Sequence, residues 1–290
     1  MEITIKVPAT SANLGLGFDS MGIAVNKFLV VSATLAPKWQ FEFETDFLEI
    51  LPRNEHNLVA QTAIQVAAKY QQTMPPLVIK MSSEIPLTHG LGSSSSAIVA
   101  GIELANYFCQ LNLSETEKIA IGSEIEGHPD NVGPCITGGV FIGAYEQQIL
   151  EYEKLSMENV AVIISVPPYE LSTEVARKVL PQQYSKQDAV MQNALNNVMV
   201  AALIKGDYQK MGALMMRDRL HEPYRQTLIA EFEMVRETSL SQGAYASVIS
   251  GAGPTILTLC EVSKVAEVIR QLELNVPSCH HESVEIYHQS

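Results

Sequence analysis

The segment Pro86-Leu87-Thr88-His89-Gly90-Leu91-Gly92-Ser93-Ser94-Ser95-Ser96 carries the sharpest chemical signal in the chain. It lies between a strand-like run and a helix that begins in its serines. Its glycines let the backbone turn so that successive N–H groups converge on one point, and the helix N-terminus adds partial positive charge. Residues of these types at this spacing bind phosphate. Neither the Gly-Lys-Ser/Thr of a Walker A loop nor GxGxxG is present here, so the cradle is of another kind. A tight turn with serine caps would account for one or two of these residues. It does not call for two glycines and four serines in a row.

Three other segments offer chemistry with a plainer alternative beside it. Pro8 to Asp19 (PATSANLGLGFD) reads as a glycine and small-residue loop in which Asn13 and Asp19 either bind a ligand or satisfy their own turns. Ser250 to Thr255 (SGAGPT) joins two strands, and Gly251 and Gly253 allow either close approach to a ligand or a β-turn. In Glu124 to Asn131 (EIEGHPDN), Glu126 sits in the last turn of a helix, against the macrodipole, with Gly127 as the stop. An acid so placed invites a cation; its alternative is an exposed glutamate costing about a few tenths of a kcal/mol. His128, Asp130 and Asn131 follow within a few residues as imidazole, carboxylate and amide, with a turn pair as the alternative for the last two.

Hydrophobic periodicity supplies the elements that must hold these segments. Strands are expected at Ile3–Val7, Lys27–Leu35, Trp39–Phe47, Leu77–Met81 and Gly138–Ile142. Helices are expected from Glu55, over Ser96–Cys109, and over Lys118–Glu126 behind a Ser114/Glu117 capping box. Residues 146–159 are polar and acid-rich, and a new pattern starts with the apolar strand Val160–Val166. A domain boundary is therefore placed near residue 155, dividing the chain into 1–155 and 156–290. The second part reads as helix Thr173–Leu180, longer helices near 187–204, 207–217 and 225–241, and strands Tyr245–Ser250 and Thr255–Cys260. Helix Ser263–Leu272 and strand Val284–His288 close it. Strands interleaved with helices predict an α+β fold of two sandwiches, each with helices on one face of a mainly antiparallel sheet.

Composition narrows the function. The 290 residues are 47% hydrophobic and 18% charged, which excludes disorder, and nineteen basic against thirty-two acidic residues give a net charge of −13. Such a field repels nucleic acid and anionic membranes, so a phosphate-bearing ligand must be held by local features. No stretch reads as a bilayer-spanning helix or secretory leader. The four cysteines lack a CxxC spacing, which fits a cytoplasmic location better than a disulfide scaffold.

Taken in order, PATSANLGLGFD, PLTHGLGSSSSA and SGAGPT resemble the three motifs of the GHMP small-molecule kinases, the first in the wording of the branch that acts on homoserine. HPDNVGPCITGG, LSTEVARKVLP and RDRLHEPYR extend the similarity. The resemblance implies a two-domain GHMP kinase fold, an N-terminal α+β domain and a C-terminal ferredoxin-like α/β sandwich, with ATP and L-homoserine meeting between them to give ADP and O-phospho-L-homoserine in threonine biosynthesis. It further implies that Pro86, Gly90, Leu91, Gly92, Ser93, Ser94, Ser95 and Ser96 cradle the triphosphate. Ser94 and Glu126 would hold Mg²⁺, and Asn57 would contact adenine, a helix N-cap being its alternative. Asn13, Asp19, His128, Asn131, Arg177 and Arg225 match positions that hold homoserine, the arginines by bidentate recognition of its carboxylate. The alternatives are a solvated helix face for Arg177 and an ion pair with Glu222 for Arg225. Asp130 and Asn131 are the catalytic candidates, with no base assigned. Many GHMP kinases carry a longer insert before the Asp-Asn pair, where this chain has Gly127, His128 and Pro129. Another alcohol such as mevalonate or a sugar, or a catalytically silent sensor of the same fold, are the competing functions. The expected partners are small molecules, with neither nucleic acid nor membrane; a homodimer is left open.

Overall fold

A computed structural model describes residues 2–289. Strands β1 (Glu2–Ala12), β2 (Met21–Leu35) and β3 (Gln40–Phe43) precede helix α1 (Leu58–Lys69) and strand β4 (Leu77–Ser83). Helices α2 (Ser93–Phe108), α3 (Glu115–Glu126) and α4 (Val132–Thr137) follow, then the hairpin β5 (Val140–Glu146) and β6 (Ile149–Leu155). These six strands form one sheet, in which β2 is the spine. It pairs with β1 along one edge, and along the other with β4 and then β5. Only β3 and β4 run parallel.

The second sheet begins at β7 (Val160–Val166). Helices α5 (Thr173–Lys178), α6 (Lys186–Ile204), α7 (Tyr208–Met215), α8 (Glu222–Arg225) and α9 (Phe232–Ser241) lead to β8 (Ala246–Ile249) and β9 (Ile256–Glu261). Helix α10 (Val265–Asn275) and strand β10 (His280–Val284) complete it. The order β10-β7-β9-β8, antiparallel throughout, is the ferredoxin-like arrangement of a βαββαβ chain with extra helices in its first crossover. Period-2 alternation sends its side chains to two cores. Val162, Ile164, Leu257 and Leu259 join the large core shared with the first sheet, while Ile163, Ile256 and Cys260 meet Phe232, Val235, Val268 and Leu272 beneath α9 and α10. Leu195, Met199, Met211 and Met215 of α6 and α7 belong to the large core, so this sheet is covered on both faces, not on one as the pattern predicted.

Several other expectations are corrected. The segment from Pro8 is not a loop at its start: β1 runs to Ala12 and absorbs the register shift of a bulge at Pro8/Ala9, where proline has no N–H to give the ladder. Strand β6 lies inside the acid-rich stretch. Gln147 and Gln148, both at positive φ, make the tight turn that an Asn-Gly pair would have advertised, and the strand alternates as an exposed edge. Helix α4 was hidden by Gly133 and Pro134, yet a proline in a first turn forfeits no intrahelical bond. The helix expected over 225–241 is divided, because Ile229 turns extended to bury its side chain. The last strand is His280–Val284; beyond it Ile286 and His288 bridge to Val25 and Gly138 of the first half.

Candidate functional site

A cleft of about 470 Å³ lies where the two halves meet. Its floor at one end is the β4-to-α2 connection. Gly90 and Gly92 have φ of 77° and 70°, and α2 begins at Ser93, earlier than the periodicity suggested. Ser93, Ser94 and Ser95 thus occupy the first turn, where N–H groups have no intrahelical acceptor, and no acid stands there to neutralise them. Both glycines are obligatory on packing grounds. A Cβ on Gly90 would fall 2.4 Å from the Ser250 carbonyl oxygen, and one on Gly92 2.1 Å from Thr10 Oγ1.

The Ser250–Thr255 segment acts mainly as a brace for these loops. The Ser250 hydroxyl reaches the Gly90 carbonyl oxygen at 2.6 Å and Ser11 Oγ at 2.8 Å, and Gly251 N–H donates to the Ala12 carbonyl at 3.1 Å. Gly251 and Ala252 face the cleft, whereas Gly253, Pro254 and Thr255 are buried. The Gly251 carbonyl accepts from Asn13 Nδ2 and from Arg225 Nη1, each at 2.9 Å. One backbone oxygen thereby ties the first motif to an arginine more than two hundred residues away in sequence.

The other end of the cleft is built from side chains. Asn13 Oδ1 accepts from the Asp19 N–H at 3.1 Å, with both residues at positive φ. Asp19 pairs with Arg177 at 2.9 Å, both partly exposed. Arg177 therefore lines the cleft while its side chain stays 39% exposed. Arg225 is only 2% exposed and does not pair with Glu222, which bonds Arg236 and the Ile249 N–H instead. Burial, with Arg177 beside it, pulls Arg225 down to about 10, so it stays cationic at neutral pH. Phe18 underlies this pair: its ring stacks on His221 at 5.1 Å, and the Arg225 guanidinium lies 5.3 Å from its centroid.

His128 and Asp130 are hydrogen-bonded to each other. Burial lowers the affinity of His128 for a proton, but the hydrogen bond and charge of Asp130 outweigh it and raise its pKa. Asn131 accepts from Thr10 Oγ1 at 2.8 Å. Ligand atoms of Asp19, His128 and Asp130 all lie within 4.8 Å of one another, a spacing that a metal could use, although Arg177 and the mutual His128–Asp130 bond already engage them.

Glu126 ends α3, and Gly127 follows at φ 96° as the helix stop. Its Oε2 is shut off from solvent without a hydrogen-bond partner, one of three such side-chain atoms among the described residues. Burial pushes its carboxyl above the ordinary range, against the pull of His128. The surface-glutamate alternative is thereby removed. The Ser95 hydroxyl also favours the charged form, yet Oε2 is left without a hydrogen-bond partner, and such an oxygen in the same cleft as the Ser94 hydroxyl fits a hard, oxygen-seeking cation such as Mg²⁺.

The cleft is lined by Asn13, Asp19, Asn57, Gly90, Gly92, Ser93, Ser94, Ser95, Glu126, His128, Asp130, Asn131, Arg177 and Arg225. Pro86, Leu91 and Ser96 do not line it. Leu91 is 1% exposed with its side chain in the core, and Ser96 Oγ donates back to the Ser93 carbonyl. Asn57 caps α1, its Oδ1 accepting from Val59 N–H and its Nδ2 donating to the Pro52 carbonyl, so its cap role holds whether or not it meets a base. Residue-by-residue reading passed over Thr10, Phe18, His221 and the cleft-lining Glu170 and Thr173. Thr173 lies in LSTEVARK and Glu170 immediately before it; Thr10 and Phe18 sat inside the first motif, where Asn13 and Asp19 drew the attention.

A glycine-rich helix start and a cluster of carboxylates and guanidiniums lining one cleft between two α+β halves define a class. Residues 57–139 match the GHMP kinases N terminal domain and residues 199–277 the GHMP kinases C terminal domain; the chain belongs to the GHMP kinase family. More particularly, it is 46% identical to a homoserine kinase of Staphylococcus epidermidis over 98% of this chain and 94% of that protein. It is 47% identical to one of Staphylococcus aureus over 99% and 95%. The solved homoserine kinase of Cytophaga hutchinsonii superposes with a TM-score of 0.88 at 28% identity, covering 100% of this chain and 96% of that one.

Proposed function

We propose that this chain transfers the γ-phosphoryl group of ATP to the side-chain hydroxyl of L-homoserine, giving ADP and O-phospho-L-homoserine. The observation that carries this is that Arg177 and Arg225 line the same cleft as the Gly90–Ser95 turn, both guanidiniums near the Phe18 ring and Arg225 fixed on the Gly251 carbonyl. Two guanidiniums suit a carboxylate, which a neutral sugar lacks. Asp19 and Asp130 beside them supply acceptors for an ammonium, which homoserine has and mevalonate does not. A silent sensor would have no use for an unsatisfied carboxylate at a metal position, yet Glu126 keeps one.

In this assignment the N–H groups at the start of α2 receive the triphosphate, and Asn57 lies at the adenine side. Ser94 and Glu126 would hold Mg²⁺, which would supply neutralisation of the phosphate charge. Arg225, anchored on the Ala176 and Gly251 carbonyls, fixes the homoserine carboxylate, and Arg177 completes the grip. Asn13 and Asp19 shape the pocket wall. Asp130, already held by His128, and Asn131 flank the acceptor hydroxyl. Phosphoryl transfer of this kind depends on alignment and charge neutralisation more than on a dedicated base, so neither is assigned that role. The division at residue 155 into two domains and a cytoplasmic location belong to the same proposal; no helix among the described residues is long and apolar enough to cross a membrane.

ADP release measured with Mg·ATP and L-homoserine, mevalonate, galactose or shikimate in turn tests it. Turnover of homoserine well above the others is expected. Equal or faster turnover of mevalonate or galactose would overturn the substrate assignment, and no turnover of any alcohol would favour a sensor.

A further inference from the structure

Thr10 is fully buried on β1 and reaches no part of the cleft, yet it touches two groups that do. Its hydroxyl donates to Asn131 Oδ1 at 2.8 Å. Its N–H donates to the Leu91 carbonyl at 3.2 Å, and its Oγ1 fills the space where Gly92 would carry a Cβ. The Thr10–Asn131 bond therefore lies directly behind the glycine that opens the anion-binding turn.

Asn131 itself is unusual. It occupies the N-cap position of α4, where asparagine is among the best caps, but its side chain makes no cap hydrogen bond. The carbonyl oxygen is committed to Thr10 instead. The amide nitrogen is thus left for Asp130 Oδ1, 3.5 Å away, and both residues line the cleft. An Asn amide can face a ligand with either end, and for an anionic phosphoryl group only the N–H end is attractive.

We infer that Thr10 is a positioning residue for phosphoryl transfer: its hydroxyl fixes the Asn131 side chain so that Nδ2–H, and not Oδ1, faces the group in flight. This rests on the kinase function proposed above. Without the hydroxyl, the amide is free to rotate, to cap α4, or to present its oxygen to phosphate, and each alternative removes a donor from the transition state while substrate binding by the arginines and the α2 turn persists.

The test uses the full chain and a double-mutant cycle. Thr10→Val keeps the shape and removes the hydroxyl, Thr10→Ala is a second hydroxyl-free variant should valine disturb the fold, and Thr10→Ser keeps the hydroxyl. The hydroxyl-free variants should lower kcat roughly 10- to 100-fold, the scale of one lost oriented donor, with KM for ATP and homoserine little changed. Thr10→Ser should restore most of kcat. In an Asn131→Ala background Thr10→Val should cost nothing more. A kcat unchanged by removing the hydroxyl, or a loss of equal size with and without Asn131, overturns the inference. So does a Thr10→Ser enzyme as slow as Thr10→Val, which would make the methyl group and packing responsible. If Asn131→Ala alone leaves kcat intact, the role proposed for Asn131 fails, a result distinct from a failure at Thr10.

Discussion

Two glutamates of this protein each take a carboxylate oxygen out of water and meet the cost differently. Glu222, 3% exposed in α8, has a donor on each carboxylate oxygen: Arg236 on one and the Ile249 N–H on the other. Glu126, at the end of α3, leaves one oxygen with no partner inside the cleft. In both, burial pushes the carboxyl pKa upward. The first arrangement is what stability demands of a buried charge. The second costs stability and is retained where a cation can supply what the protein withholds. On the proposed function, the comparison separates a carboxylate that builds the site from one that would hold its cation.

The sharpest way to break that comparison is to neutralise each acid. Glu126→Gln should lower kcat by roughly three orders of magnitude, near 4 kcal/mol of transition-state stabilisation, while the melting temperature holds or rises because an uncompensated buried acid is gone. Steady-state kinetics and thermal unfolding of one preparation decide the matter; a fall in stability with kcat retained would make Glu126 structural. Glu222→Ala should do the reverse in stability, losing about 3 kcal/mol or more by stranding Arg236. Urea unfolding reads this, and a loss below about 1 kcal/mol would place the pair among those of little net worth.

A smaller effect sharpens the contrast from the side of pH. His221 is fully buried beside Arg225, and burial lowers its pKa although Asp218 opposes the shift. The unfolded chain then binds a proton on this group more readily than the folded one. Stability should accordingly fall as pH drops below the ordinary histidine value of about 6.5 and be insensitive to this group above it. His281, also lowered by burial, contributes in the same direction. Melting temperatures between pH 8 and 5 should show a shallower slope for His221→Gln than for the native chain; parallel slopes would mean that His221 titrates normally.

The two ends of the cleft also differ in how far they could be read in advance. The anion cradle is made by consecutive backbone groups, so Gly90, Gly92 and the serines announce it locally; even the capping box of Ser114 and Glu117 forms with both bonds in place. The proposed acceptor pocket draws on residues 13, 19, 128, 131, 177 and 225, and no local pattern links them all. Asn13, Asp19, His128 and Asn131 stood out as polar groups in their own segments, but only resemblance to a family added Arg177 and Arg225 and joined all six. Glu126 was suspected from the helix dipole, but its isolation depends on what surrounds it in space. Misreadings of the fold share one cause. β6 is an edge strand with acid on its outer face, α4 contains Gly and Pro, and Ile229 leaves its helix to fill the second core. In each case tertiary context overrode local propensity.

The central claim is that the side-chain end of the cleft reads the carboxylate of an amino-acid alcohol. Its most direct test is kcat/KM for L-homoserine against homoserinol, which lacks that carboxylate, in the native enzyme and in Arg225→Ala. The native enzyme should prefer homoserine by roughly ten- to a few-hundred-fold, the scale of one charge-assisted pair at about 1.5–3 kcal/mol. Arg225→Ala should abolish most of that preference by raising the homoserine KM, with the ATP KM little moved and homoserinol used about as before. A preference that survives in Arg225→Ala, or a large further loss of activity on homoserinol, would show that Arg225 serves the phosphates or the fold and would contradict the account.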